Sequence, residues 1–202
     1  LLTLLDMKLR LIFLPLIIAL CAVPLLRAQH GVIREYAALA PTPDAVPLAP
    51  LFNAPLTDTS ITVGPDQAYY LTGSAVDAQG GAVAAGQLSI WRSADMKQWS
   101  PYRTLDLKGM KGRSPELHFF DGRFWLALGR EGGGTELLRF ATVDLATSTF
   151  QSARITESGA DPSLFRDDDG TYYWTMGGGA IARMKANPLE GLAAPAVTIP
   201  VK

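Results

Sequence analysis

From Asp58 onward the apolar residues fall in short runs punctuated by Gly, Asp and Pro, and one order of events recurs three times. The stretches are DTSITVGPDQAYYLTGS from Asp58, PELHFFDGRFWLALGR from Pro115 and DPSLFRDDDGTYYWTMG from Asp161. Each sets an acidic residue ahead of a short apolar strand, then a turn containing Asp, then an aromatic strand that ends on glycine. The turns GPDQ (64–67), DG (121–122) and DDDG (167–170) predict hairpins, because Gly, Asn and Asp tolerate the left-handed conformations that tight turns require. The flanking runs are rich in Tyr, Phe, Trp, Ile and Val, which favour a pleated, packed surface. A third strand follows each hairpin (86–93, 135–144 and 180–185), and then a weaker fourth (101–107, 150–156 and 194–200). No amphipathic segment in this region is long enough for a substantial helix, although Ser93 to Gln98 could form one turn.

Four strands per repeat describe a propeller blade. The acidic starts Asp58, Glu116 and Asp161 lie 58 and then 45 residues apart, a spacing like the roughly 40 to 50 residues of known blade repeats. A β-sandwich would account for the strands but not for an acid returning at the start of each unit. The predicted fold class is therefore all-β, a β-propeller with about three four-stranded blades.

Ahead of the repeats the pattern changes twice. Met7 to Ala28 places Lys8 and Arg10 before an apolar stretch from Leu11 to Leu26 and a small residue, the layout of a secretory leader. Pro15 and Pro24 interrupt the run, which is short for a bilayer span of about 20 residues. Met7 reads as the true start, so residues 1–28 are assigned to a signal peptide. The single cysteine, Cys21, lies inside it behind Leu20, a poor match to a lipoprotein cleavage site. A chain starting near Gln29 has no thiol for disulfides, catalysis or metal. Residues 29–57 contain APTPDAVPLAPLFNAP and are expected to form an extended proline-rich arm, leaving 58–202 as the propeller domain. Removing the leader takes away Lys8, Arg10, Arg27 and Asp6, so 18 basic and 19 acidic residues become 15 and 18. Such a mildly acidic protein offers neither a nucleic-acid groove nor a polybasic membrane patch. The expected location is secreted or periplasmic, without stable membrane association.

Inner strands of a propeller line one axis and run in one direction, so equivalent positions converge at one end of it. Asp58, Glu116 and Asp161 are accordingly expected as neighbours. Carboxylates brought together repel, which drives their pKa values apart and can leave one as a base and another as an ionised partner. The competing role for each acid is to cap the turn entering its blade by accepting backbone N–H bonds.

At these residues the sequence resembles the five-bladed propellers of glycoside hydrolase family 43, which release arabinose or xylose units from plant polysaccharides. The resemblance covers about Asp58 to Lys202 and rests on DTSI with YYLTG, SIWRSADMKQW, SPELHFFDGRFW and, most specifically, DPSLFRDDDGTYYW. It implies that Asp58 is the general base, although Thr59 stands where the family has proline. It implies that Asp161 orients the acid and holds its pKa, and that Glu116 is a substrate-binding candidate. His118 alternates with Phe119 and shares a face with Glu116, which makes it a second substrate-binding candidate beside its ordinary reading as a packed or hydrogen-bonded histidine. The implied reaction inverts the anomeric carbon, with base and acid about 6.5 to 9.5 Å apart to admit a water. The acid is a glutamate of a later blade. Glu190, between the third and fourth strands of the third repeat, is expected to face solvent instead. Three blades against an implied five lead to the expectation of the N-terminal portion of a longer enzyme, inactive alone, with the acid beyond Lys202.

Other features are read more plainly. Ser93 to Trp99 (SADMKQW) resembles the S-x-D-x-G-x-x-W turn of sialidase-type propellers, one residue short and with Lys97 at the glycine, and is expected to be a blade turn locked by Trp99. Gly132 to Gly134 lacks the lysine and strand-to-helix setting of a phosphate loop and reads as a hairpin tip. Trp91, Trp99, Trp125 and Trp174 are core candidates, one of which could stack on a sugar. No cofactor and no metal are expected. The partner is an oligo- or polysaccharide, either as the substrate of a hydrolase or as the ligand of a non-catalytic binding propeller.

Overall fold

The computed structural model describes residues 54–200. The expected leader, and all but the last residues of the expected arm, lie outside them. Three antiparallel sheets follow one another along the chain. The first contains β1 (Leu56–Val63), β2 (Tyr69–Val76), the short β3 (Ala82–Val83), β4 (Gln87–Ser93) and β5 (Ser100–Asp106). Its path is β1-β2-β4-β5, with β3 paired to β2. The second is β6 (Gly112–Phe120), β7 (Arg123–Arg130), β8 (Thr135–Phe140) and β9 (Phe150–Thr156). The third is β10 (Ser163–Arg166), β11 (Tyr172–Met176), β12 (Ala180–Arg183) and β13 (Val197–Thr198), with a 3-10 helix at Pro188–Glu190 before its last strand. Each sheet is an up-and-down meander in sequence order, the wiring of a propeller blade.

The strand predictions hold with local differences. β1 begins at Leu56, so the expected arm ends two residues earlier than its composition implied. β8 stops at Phe140 because the chain turns there: Asp144 accepts from the N–H of Ala146 and the hydroxyl of Thr147. Only Val197 and Thr198 of the expected 194–200 strand pair, since prolines at 195 and 200 remove ladder donors. Ser93 to Gln98 is a bend, not a helical turn. The Asp95 carboxylate accepts from the N–H groups of Lys97 and Gln98, both at 2.9 Å. The Trp99 indole closes the bend by donating to the Met96 carbonyl.

The middle blade shows why its sequence is the most apolar. Successive residues of a strand face opposite sides. Phe124, Leu126 and Leu128 of β7 pack with Tyr70, Leu88, Ile90 and Leu105 of the first blade. Trp125 and Ala127 pack with Leu164, Trp174 and Met184 of the third. Buried on both faces, β7 reads FWLAL without alternation. The first and third blades each leave apolar residues of their leading strands in solvent, Ile61 and Val63 on β1 and Phe165 on β10. Trp91, Trp125 and Trp174 are buried, as the sequence led one to expect of core residues.

Candidate active site

The leading strands bring the acids together, but not through the register that acid-matching implied. The pairing of β1 with β2 is irregular between Thr57 and Ser60, and that of β6 with β7 between Arg113 and Glu116. At each irregularity one residue turns left-handed: Asp58 at φ 48° and Ser114 at φ 46°. Asp161, two residues before β10, has φ 47°. The backbone therefore aligns Asp58-Thr59-Ser60, Ser114-Pro115-Glu116 and Asp161-Pro162-Ser163. Glu116 is the counterpart of Ser60 and Ser163, not of the two aspartates. The true seats stand at 58, 114 and 161, which evens the blade spacing to 56 and 47 residues. Non-glycine residues at positive φ cost about 1 to 3 kcal/mol each and gather at functional sites. Asp tolerates the region better than most residues.

The glycine that ends each aromatic strand faces the kinked part of its leading strand. A Cβ on Gly73 would lie 3.1 Å from the Thr57 carbonyl oxygen, on Gly129 3.6 Å from that of Arg113, and on Gly177 3.4 Å from that of Ala160. Each of those carbonyls belongs to the residue just before a left-handed seat, but only at Gly73 is the approach tighter than ordinary contact, so only there does the kinked backbone require a bare glycine.

Asp58, Thr59, Ser114, Pro115, Glu116 and Asp161 line one cleft of about 200 Å³. Asp58 and Asp161 are exposed at its wall, whereas Ser114 is buried. The Ser114 hydroxyl donates to Asp58 Oδ2 at 2.9 Å, and the Ser114 N–H donates to Ser74 Oγ at 2.7 Å. Behind them Ser60 Oγ accepts from the Leu117 N–H at 3.0 Å and so ties the first blade to the second. His118 Nε2 meets Ser163 Oγ at 3.1 Å across to the third blade. Glu116 Oε2 is 3.8 Å from His118 Nε2. Burial pushes the Glu116 carboxyl up from its ordinary range, opposed by a hydrogen bond from Ser60, and pushes the His118 imidazole down. Both shifts favour the neutral forms, so the contact is a weak polar approach and not a fixed ion pair.

Glu190 lies away from this cleft, exposed in the 3-10 helix and hydrogen-bonded by the Asn187 amide at 3.2 Å. Among the described residues no group of three His, Cys, Asp or Glu is arranged to hold a metal ion. Ser114 and Ser74 are the site residues that sequence reasoning missed. The signal for Ser114 was present: Ser-Pro at 114–115 matches Asp-Pro at 161–162, provided the proline and not the acid is used to set the register.

The fold is a propeller whose leading strands gather Asp58, Glu116 and Asp161 at one cleft, and the family follows from the sequence of its blades. Glycosyl hydrolases family 43 matches residues 48–192, well over half of the chain, and the chain belongs to that family. No curated protein sequence matches it significantly. Among solved structures it is similar to the family 43 protein BlXynB from Bacillus licheniformis, with TM-score 0.58 and 18% identity over 74% of this chain and 32% of that one. It is also similar to the xylan β-1,4-xylosidase from Bacillus halodurans, with TM-score 0.55 and 22% identity over 73% and 32%. The native arabinanase from Bacillus subtilis gives TM-score 0.57 and 14% identity over 73% and 57%. The chain thus spans less than two thirds of the length of each.

Proposed function

We propose that these blades carry the water-activating side of an inverting glycoside hydrolase acting on arabinose- or xylose-containing glycans. The observation that carries the reading is the pair of aspartates, Asp58 and Asp161, held in the same strained backbone seat of two blades and facing one cleft. Unlike Asp121, which takes this conformation in a hairpin turn, Asp58 and Asp161 take it beside the cleft, which supports an aiming role. In this reading Asp58 accepts a proton from a water, which attacks the anomeric carbon on the face opposite the departing oxygen. Asp161 orients the proton donor and keeps it protonated. Glu116, half-buried at the cleft and with its carboxyl pushed up by burial, faces the sugar as a hydrogen-bonding group, while His118, outside the cleft lining and bonded to Ser163, supports it from behind. The donor is assigned to a glutamate outside residues 54–200, so these blades alone should not turn over natural glycosides. The leader-like segment at 7–28 supports export, where such polymers are met.

The second reading is a carbohydrate-binding propeller without turnover. It draws on the fact that Glu116 is the one glutamate among the described residues lining the cleft. The test uses the protein expressed from its complete reading frame, with natural arabino- and xylo-oligosaccharides and with aryl glycosides whose leaving groups need no protonation. Asp58→Asn should abolish both activities, each by about 10² to 10⁴ or more. Asp161→Asn should depress the natural substrates strongly and the aryl glycosides much less. Sugar binding with no turnover in the unmodified protein selects the binding module.

A further inference from the structure

The three left-handed seats are equivalent in backbone but not in chemistry: the first and third hold aspartates, and the middle one holds Ser114. Ser114 is 7% exposed and its hydroxyl lies 2.9 Å from Asp58 Oδ2. An ionised carboxylate only accepts hydrogen bonds, so the serine must be the donor. Its partner Ser74 is fully buried on β2 and accepts the Ser114 N–H at 2.7 Å. With that lone pair engaged, the Ser74 O–H remains free to point at the same Asp58 Oδ2, 3.5 Å away. Oδ2 thus has one well-formed hydrogen bond, from Ser114, with the Ser74 hydroxyl at the outer limit of range. The other carboxylate oxygen, Oδ1, has only a 3.5 Å approach from the neighbouring Thr57 hydroxyl, which is at the outer limit of a hydrogen bond.

We propose that Ser114, backed by Ser74, is a positioning residue for the general base: it fixes Asp58 through Oδ2 and leaves Oδ1 to take the proton from water. The proposal rests on the reading of Asp58 as base. The residue type at the middle seat follows from the distances. An aspartate there would set a second carboxylate against Asp58 at hydrogen-bonding range, and like charges so close disfavour joint ionisation. An alanine would leave the Asp58 side chain free to rotate in a cleft where its own residue is exposed. A neutral donor avoids both. The left-handed backbone at φ 46° aims that donor across the blade boundary from β6 to β1, a direction an ordinary extended residue would not give.

The test compares Ser114→Gly and Ser114→Ala with the unmodified protein, again from the complete reading frame. Glycine removes the hydroxyl and suits positive φ, and alanine removes it while keeping Cβ. Misplacing a reacting group by about 1 Å can cost on the order of 10²-fold. Both variants should therefore lose about 10- to 100-fold in kcat on aryl glycosides, with KM within about threefold. The ¹³Cγ resonance of Asp58, followed at one fixed pH, should be displaced in both. If Asp58→Asn abolishes turnover while Ser114→Gly keeps kcat within about twofold and leaves that resonance unmoved, the positioning role is overturned and the reading of Asp58 stands. A loss in Ser114→Ala without one in Ser114→Gly marks backbone strain and also overturns it. Retained turnover in Asp58→Asn, or none in the unmodified protein, removes the base and this role together.

Discussion

Asp121 offers a test of how the second and third blades are joined, at the opposite end of β6 from the cleft. It occupies the β6–β7 turn at φ 52°, followed by Gly122 at φ 66°, the two left-handed residues of a tight hairpin. Its Oδ2 accepts from Arg166 Nε on β10 at 2.8 Å and from the Tyr172 hydroxyl on β11. The pair is only half-shielded, with side-chain exposures of 41% for Asp121 and 36% for Arg166, so the ionic part is worth about 0.2 to 1 kcal/mol. The phenol donates to a charged acceptor, a bond worth about 1.5 to 3 kcal/mol. Asp121→Asn keeps a residue that tolerates the left-handed turn and keeps one acceptor oxygen, so a neutral bond of about 0.5 to 1.5 kcal/mol survives. The expected loss is therefore about 1 to 2 kcal/mol. Equilibrium urea unfolding, with a slope of about 2 kcal/mol/M, should show the midpoint falling by about 0.5 to 1 M at unchanged slope. A double-mutant cycle with Tyr172→Phe should return a coupling of at least about 0.5 kcal/mol. Independent, additive effects of the two substitutions would show that this contact does not hold the blades together.

Two further outcomes follow from the same geometry. Burial first, and then neighbouring Asp66 and Asp121 respectively, hold the Tyr70 and Tyr172 phenols at about 12; the folded state thus keeps protons that the unfolded chain releases near pH 10, so stability should fall as pH rises from about 10 toward 12, less steeply in Tyr172→Phe, as thermal melts across that range would show. Gly73→Ala would place its Cβ 3.1 Å from the Thr57 carbonyl oxygen and 3.1 Å from Thr59 Cγ2, and should cost about 1 to 3 kcal/mol in urea unfolding and lower activity by disturbing the Asp58 seat; an unchanged midpoint would contradict the close approach described there.

The hairpins were legible because their chemistry is local. Asp-Gly at 121–122 specifies a turn whatever surrounds it, and the fourth strand at 150–156 matches β9 residue for residue. The short pieces were not. β3 is two residues that pair only because β2 runs past them, and the 3-10 helix at Pro188–Glu190 rests on an Asn187 cap. The blade register failed at one point for a physical reason. A left-handed seat is a property of backbone, and it accepts aspartate or serine alike, whereas acidity was used to align the repeats. Glu116 was thereby placed among the seats, although it belongs two residues further along with Ser60 and Ser163. It reaches the same cleft, as does the intervening Pro115, because the strand is irregular there and does not alternate strictly. Ser74 could not be found from sequence at all, since its role comes from the packing of β2 against β6.

The central claim is that water, activated by Asp58, attacks from the face opposite the leaving group. Proton NMR of the first sugar released from an aryl xyloside or arabinofuranoside, recorded before mutarotation, tests it most directly. Release of the anomer opposite to that of the substrate is predicted, because no covalent sugar intermediate forms. Release of the same anomer would mean that a carboxylate of the cleft acts as nucleophile, and would contradict the assignment of Asp58 as the base.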